Sequence, residues 1–181
     1  MSSSVETDPM TSRMSTPPSP RAPLYTAEQR VRRDASIWTF VQGVLAPMQF
    51  FIFLVSLALV LRYLLTGEGL DAAVASVVFK TAALYTIMVT GSIWEKDVFG
   101  VWLFAPAFYW EDVFSMLVLA LHSAYLVALF THALDSRGLM LLALAAYASY
   151  AINATQFILK LRAARLDHAR SQLGAASGAT A

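Results

Sequence analysis

The sequence predicts an all-α membrane protein, a bundle of four transmembrane helices with an interfacial or re-entrant loop between the second and third. Three observations carry that prediction. Of 181 residues, 57% are hydrophobic and 14% charged, against about 25% charged in a soluble domain. The shortage of charge is concentrated: residues 35–61 are twenty-seven positions without one, and about 20 apolar residues suffice to cross the hydrocarbon core. Three further apolar runs follow, joined by short polar links.

Residues 1–22 are rich in Ser, Thr and Pro and are expected to be a disordered tail, with no apolar stretch that would serve as a cleaved signal. The membrane domain is expected over 23–166. It opens with a short amphipathic segment, Tyr25 to Arg33, with Thr26 as its N-cap, lying at the membrane surface. The first span falls within 35–61 and contains Pro47, a kink position; Gly67 and Gly69 mark the turn after it. The second runs from about Ala72 to Trp94, with Lys80 as its one charge. Residues 98–110 are uncharged but only thirteen long, and Gly100 and Pro106 interrupt them. That is too short to cross as a helix, hence the interfacial or re-entrant loop. The third span covers about Val113 to Leu134 and the fourth about Leu139 to Leu159, linked by Asp135 to Gly138. Residues 167–181 are expected to form a second disordered tail.

Four crossings put both termini on one side. Arg13, Arg21, Arg30, Arg32 and Arg33 precede the first span; Lys160, Arg162, Arg165 and Arg170 follow the fourth; Arg62 and Arg137 alone flank the opposite ends. The positive-inside rule then places both termini and the 95–112 segment in the cytoplasm. Net charge is +1 and cysteine is absent, so there is no basic bias toward nucleic acid and no thiolate metal site, disulfide or cysteine nucleophile.

Polar side chains within spans tend to face protein or water. Gln42 and Gln49 lie seven apart on the first span; Thr86 and Thr90 share a face of the second; Glu111, Ser115 and His122 share a stripe on the third, and Ser149, Asn153 and Gln156 another on the fourth. All sit in the middle or cytoplasmic half, and their convergence would form a polar pocket opening to the cytoplasm. The loop contains an echo, WEKDVF at 94–99 and WEDVF at 110–114. Each sets carboxyl groups beside tryptophan at the membrane boundary, where a protonated carboxyl serves as a general acid.

Each signal has a plainer explanation. Glu95, Glu111 and Asp112 fit solvated helix ends, and negative charge at a helix N-terminus is favourable by about 0.3–1 kcal/mol. Gln49, Asn153 and Gln156 are candidates for a substrate pocket, but such residues most often hydrogen-bond between helices. His122 lies about 16 Å from Glu111 along the axis, too far to be its direct partner, so it is a buried hydrogen-bonding histidine or a ligand-binding one. Lys80 sits about 12 Å inside its span, where a charge costs about 2.5–3.5 kcal/mol; snorkelling to the outer face is the expected relief. No nucleotide loop, paired-His metal helix or nucleophile elbow occurs.

Four stretches, LYTAEQRVRRDASIWTFVQGVLAPMQFFIFLVSLALVLRYLLTGEG, KTAALYTIMVTGSIWEKDVFG, LFAPAFYWEDVFSMLVLALHSAYL and YAINATQFILKLRAAR, resemble the vinyl chlorophyllide or vinyl bacteriochlorophyllide hydratases of bacteriochlorophyll biosynthesis, from about Leu24 to Arg165. The resemblance implies an enzyme of the inner cytoplasmic or intracytoplasmic membrane. It would add water to the C3 vinyl group of chlorophyllide a, or of a bacteriochlorophyllide, to give the 3-(1-hydroxyethyl) product. Its partners would be a chlorophyllide-type macrocycle, water, lipid and other pigment-pathway enzymes, with no cofactor beyond the magnesium carried in the substrate. The resemblance assigns no catalytic residues; the residues themselves suggest them. Glu111 or Glu95 is the expected proton donor, with the other carboxylate or Asp112 orienting and deprotonating water. Trp94, Trp110, Phe108 and Tyr109 are candidates to stack on the macrocycle, and His122 to hold its magnesium. A non-enzymatic pigment-binding or assembly factor would use the same aromatic rim; a transporter subunit fits less well, because the spans show no clear inverted repeat.

Overall fold

In the computed structural model the described backbone covers residues 24–178, with side chains to Leu166. The expected N-terminal tail, 1–22, lies outside the described residues. Five helices follow in order: α1 (Ala27–Ala35), α2 (Ile37–Thr66), α3 (Leu70–Phe99), α4 (Tyr109–Phe130) and α5 (Ser136–Gly178), with no strand among the described residues. Four of them are long and apolar enough to cross a membrane: α2, α3, α4 and α5 over Ser136–Leu166. The all-α, four-span architecture is therefore as the sequence predicts. The backbone of α5 stays helical to Gly178, past the point where the sequence suggested a tail.

α1 begins as its sequence dictates. The Thr26 side chain accepts from the Gln29 N–H while the Gln29 side chain accepts from the Thr26 N–H, a capping box that satisfies two donors at once. α2 runs unbroken through Pro47. It stops where Gly67 and Gly69 take φ values of 76° and 82°, a conformation open to glycine without steric cost. α3 extends five residues beyond the expected Trp94, because Glu95, Lys96 and Asp97 remain helical until Gly100 closes the helix at φ 81°. Residues 100–108 then cross to α4 without helix.

Packing follows from connectivity. α2 pairs mainly with α3 and α4 with α5, and the two hairpins meet through α2–α5 and α3–α4 contacts. Where they join, the core is made of Val60, Val77, Val118, Tyr125, Met140, Ala143 and Tyr147, while Phe51, Phe79, Val127, Phe130 and Ile158 point outward. Helices in lipid gain little from apolar burial against one another, so close approach at small residues and interhelical hydrogen bonds hold them. Ala73, Ala143 and Ala146 are fully or nearly fully buried. Ser56 ties three helices, bonding Ser76 on α3 at 2.7 Å and the Tyr147 hydroxyl on α5. Gln42 donates to Thr90 at 2.8 Å, so it is an interhelical partner rather than a pocket group. Tyr147→Phe is expected to lower stability by about 0.6 kcal/mol, the average for such a bond in lipid, read as an earlier midpoint in denaturation from mixed micelles.

Candidate active site

The antiparallel order of the helices gathers one end of the bundle from the start of α2, the end of α3, the start of α4 and the lower turns of α5, with α1 against it. Three carboxyl side chains collect there. Glu95 is in the last turn but one of α3, and Glu111 and Asp112 are in the first turn of α4. All three are buried. Glu95 and Asp112, on different helices, accept from two successive backbone N–H groups of the α3–α4 connection, which brings the two carboxyls to one place. Two ionised carboxylates are both acceptors only, so the two can hydrogen-bond each other only with a proton between them.

The connection between α3 and α4 grips this pair. Phe104 adopts φ 61°, a left-handed conformation uncommon for a bulky residue, and it turns two successive backbone N–H groups toward the carboxyls. Phe104 N–H donates to Asp112 Oδ2 at 2.8 Å, and Ala105 N–H donates to Glu95 Oε2 at 3.2 Å. Successive N–H groups arranged in this way make an anion-binding concavity. The loop was expected from its length and its Gly and Pro; the clasp it forms was not, because a left-handed phenylalanine has no sequence signal.

Glu111 is of another kind. Its Oε2 lies 2.6 Å from Lys160 Nζ on α5, and the same ammonium sits 5.0 Å from the centre of the Phe108 ring. Glu111 is thus one half of an ion pair, whereas Glu95 and Asp112 face each other. Sequence reasoning counted Lys160 only as a topology charge and missed this pairing.

The four aromatic candidates divide in two. Phe108 is buried, at the centre of a cluster with Trp94 at 5.6 Å, Phe99 at 5.8 Å, Phe157 at 5.9 Å and Tyr25 at 6.3 Å. Trp94 also donates its indole N–H to Thr39 Oγ1 at 2.9 Å. These two rings are internal packing. Tyr109 and Trp110 are 48% and 67% exposed, set edge to face at 5.6 Å, with Phe104 against Tyr109 at 5.8 Å. They offer a free aromatic surface beside the carboxyl pair. Tyr25, ahead of α1, lies on Phe99 at 5.8 Å and under the Arg33 guanidinium at 4.8 Å. Burial pushes its phenol above the ordinary value, Arg33 offsetting only part of the rise, so it remains a neutral hydroxyl at physiological pH.

The remaining candidates lie deeper. His122 is fully buried; its Nδ1 donates to the Val118 carbonyl at 2.8 Å, and its Nε2 accepts from Lys80 Nζ at 2.9 Å. Both ring nitrogens are therefore engaged. Lys80 does not snorkel outward as its position suggested. It is fully buried, with Nζ 4.0 Å from the centre of the Tyr150 ring, because the imidazole and the aromatic face satisfy inside the bundle what the bilayer cannot. Asn153 donates to Ser115 Oγ at 2.8 Å, joining two of the expected stripes. Asn153 Oδ1, Gln156 Oε1 and both amide atoms of Gln49 are buried without a partner.

Comparison with known proteins gives a consistent result. The family model described as 2-vinyl bacteriochlorophyllide hydratase matches residues 25–163. A protein of Cereibacter sphaeroides named 2-vinyl bacteriochlorophyllide hydratase is 64% identical over 160 residues, covering 86% of this chain and 99% of its own. One of the same name from Rhodobacter capsulatus is 61% identical over 162 residues, covering 87% and 94%. No solved structure matches.

Proposed function

The chain belongs to the 2-vinyl bacteriochlorophyllide hydratase family, and from that premise we propose that it adds water across the C3 vinyl group of chlorophyllide a or a bacteriochlorophyllide, forming the 3-(1-hydroxyethyl) product. The observation that carries the mechanism is the Glu95–Asp112 pair, held by two loop N–H groups next to exposed Tyr109 and Trp110. The macrocycle lies against Tyr109 and Trp110 with its vinyl edge toward the pair. The shared proton passes from Glu95 or Asp112 to the terminal vinyl carbon. A new C–H bond forms, the π bond breaks, and the cation at the carbon next to the ring is delocalised into the macrocycle. Water attacks that carbon, and its surplus proton returns to the carboxylate pair. Proton and hydroxyl add with no net redox change, so the reaction draws on no redox cofactor.

The protein's own contribution is position and proton transfer; the electronic stabilisation belongs to the pigment. Glu111 is assigned to holding α4 against α5 through Lys160 rather than to proton donation. The substrate magnesium is not assigned to His122, whose ring nitrogens serve Val118 and Lys80. Arg30, Arg32, Arg33, Lys160, Arg162 and Arg165 all belong to the end that bears the site, which supports a cytoplasmic placement of that end and of both termini in an inner or intracytoplasmic membrane. The 100–108 segment then lies at that interface, where an amphipathic pigment arrives.

The test is turnover by the purified protein in detergent. With a 3-vinyl pigment and H₂¹⁸O but no nucleotide, the product is expected to gain a single ¹⁸O in a hydroxyethyl group. Pigment that binds but returns unchanged would identify a carrier or assembly factor instead.

A further inference from the structure

Above the carboxyl site the bundle contains polar groups that the mechanism leaves unused, at successive levels along its axis. Cross-helix contacts fix their levels. Glu111 meets Lys160, Ser115 meets Asn153, and His122 stacks near Tyr147 with ring centres 5.9 Å apart. On α2, Phe53 packs against Tyr150 at 4.9 Å. Because α2 and α5 run antiparallel, Gln49, one turn before Phe53, is level with Asn153, one turn after Tyr150. Lys80 reaches the Tyr150 ring and His122 just above. From the rim inward the order is therefore Glu111 with Lys160, then Gln156, then Asn153 with Ser115 and Gln49, then Lys80 with His122.

Four of the five unpartnered buried side-chain atoms among the described residues lie in the middle of this order, and the fifth, the Tyr125 hydroxyl, lies beyond His122. Gln49 is 2% exposed and Asn153 8%; both amide atoms of Gln49, and the amide oxygens of Asn153 and Gln156, are buried with no protein partner. A dry amide is costly in any interior and more so within lipid. Gln49 needs both a donor and an acceptor, and a single water molecule supplies both. The reaction needs water as well, and a flat macrocycle laid over the rim shuts bulk solvent from the face it covers.

We propose that Gln49, Asn153 and Gln156 bind a file of internal water that runs from Lys80–His122 to the carboxyl pair and delivers the molecule added to the vinyl group. The inference rests on the hydratase reading for its role in turnover, but not for the existence of the water. Each cycle removes one water from the rim end of the file, and the proton that this water releases returns to Glu95–Asp112, so the file refills with neutral water only. Gln49 and Asn153 act as positioning residues.

The experiment has two arms. In the unaltered protein with ¹⁵N-labelled glutamine and asparagine, in micelles, the side-chain NH₂ signal of Gln49, identified by its loss in Gln49→Leu, is expected to show direct magnetisation transfer from water. Absence of that transfer overturns the proposal whatever the enzyme does. In the second arm, Gln49→Leu/Asn153→Leu is expected to lower kcat on the order of 100-fold, the scale set by misplacing a reactant, with KM for the pigment little changed and Gln49→Glu recovering most of the rate. Unchanged kcat in the double variant overturns the delivery role. Failure of the unaltered protein to turn over at all strikes the hydratase reading instead, and leaves the water-transfer result standing.

Discussion

Glu95→Gln is expected to lower the hydration rate on the order of 10²- to 10⁴-fold, the range for loss of a general acid, while the protein still inserts and folds. The amide is nearly isosteric and keeps an oxygen for the Ala105 N–H, which donates to Glu95 at 3.2 Å. What it lacks is a transferable proton. Asp112→Asn is expected to behave alike, because the proton is shared by the pair. Groups that act as a unit are not additive, so the double variant is expected to be little slower than either single one. Glu111→Gln is expected to retain most of the rate, since its carboxylate is committed to Lys160. Single-turnover pigment spectra, with elution volume and circular dichroism as controls for folding, decide the matter. Full rates in both Glu95→Gln and Asp112→Asn would remove this pair from the chemistry.

Lys160→Met is expected to destabilise the bundle more than any other single change at this end. It leaves the Glu111 carboxylate, whose side chain is 9% exposed, without its counter-ion. Removing one member of a buried pair costs about 3–5 kcal/mol; Lys160 is 27% exposed, so the lower end of that range applies. The loss of the ammonium over the Phe108 ring adds to it. Combining Lys160→Met with Glu111→Gln is expected to recover much of the deficit, because no unpaired charge then remains. Unfolding midpoints in mixed micelles, taken around the full double-mutant cycle, give the coupling directly. A double variant no more stable than Lys160→Met would show that packing, and not the charge, sets the loss.

The spans were legible because lipid imposes a coarse rule, long uncharged runs, which residues 35–61 obey without exception. Thr26 and Gln29 were legible as a helix start because capping is local chemistry. Helix rotation is not local. The direction of Lys80, inward to His122 rather than outward, depends on which face of α3 the other helices cover. The stripes therefore named the correct helices but not every partner: Ser115 found Asn153, whereas Gln42 found Thr90 and left Gln49 apart. The carboxyl cluster was anticipated as a group, yet its division into an ion pair and an acid pair depended on Lys160, forty-nine residues further along the chain from Glu111. Exposure separated the aromatic residues, and a list of tryptophans carries no information about which side of a helix each one occupies.

The two N–H groups of Phe104 and Ala105 reach carboxyls on different helices. They therefore work as a gauge as well as a clasp: α3 and α4 cannot slide or splay at this end without straining at least one of these bonds.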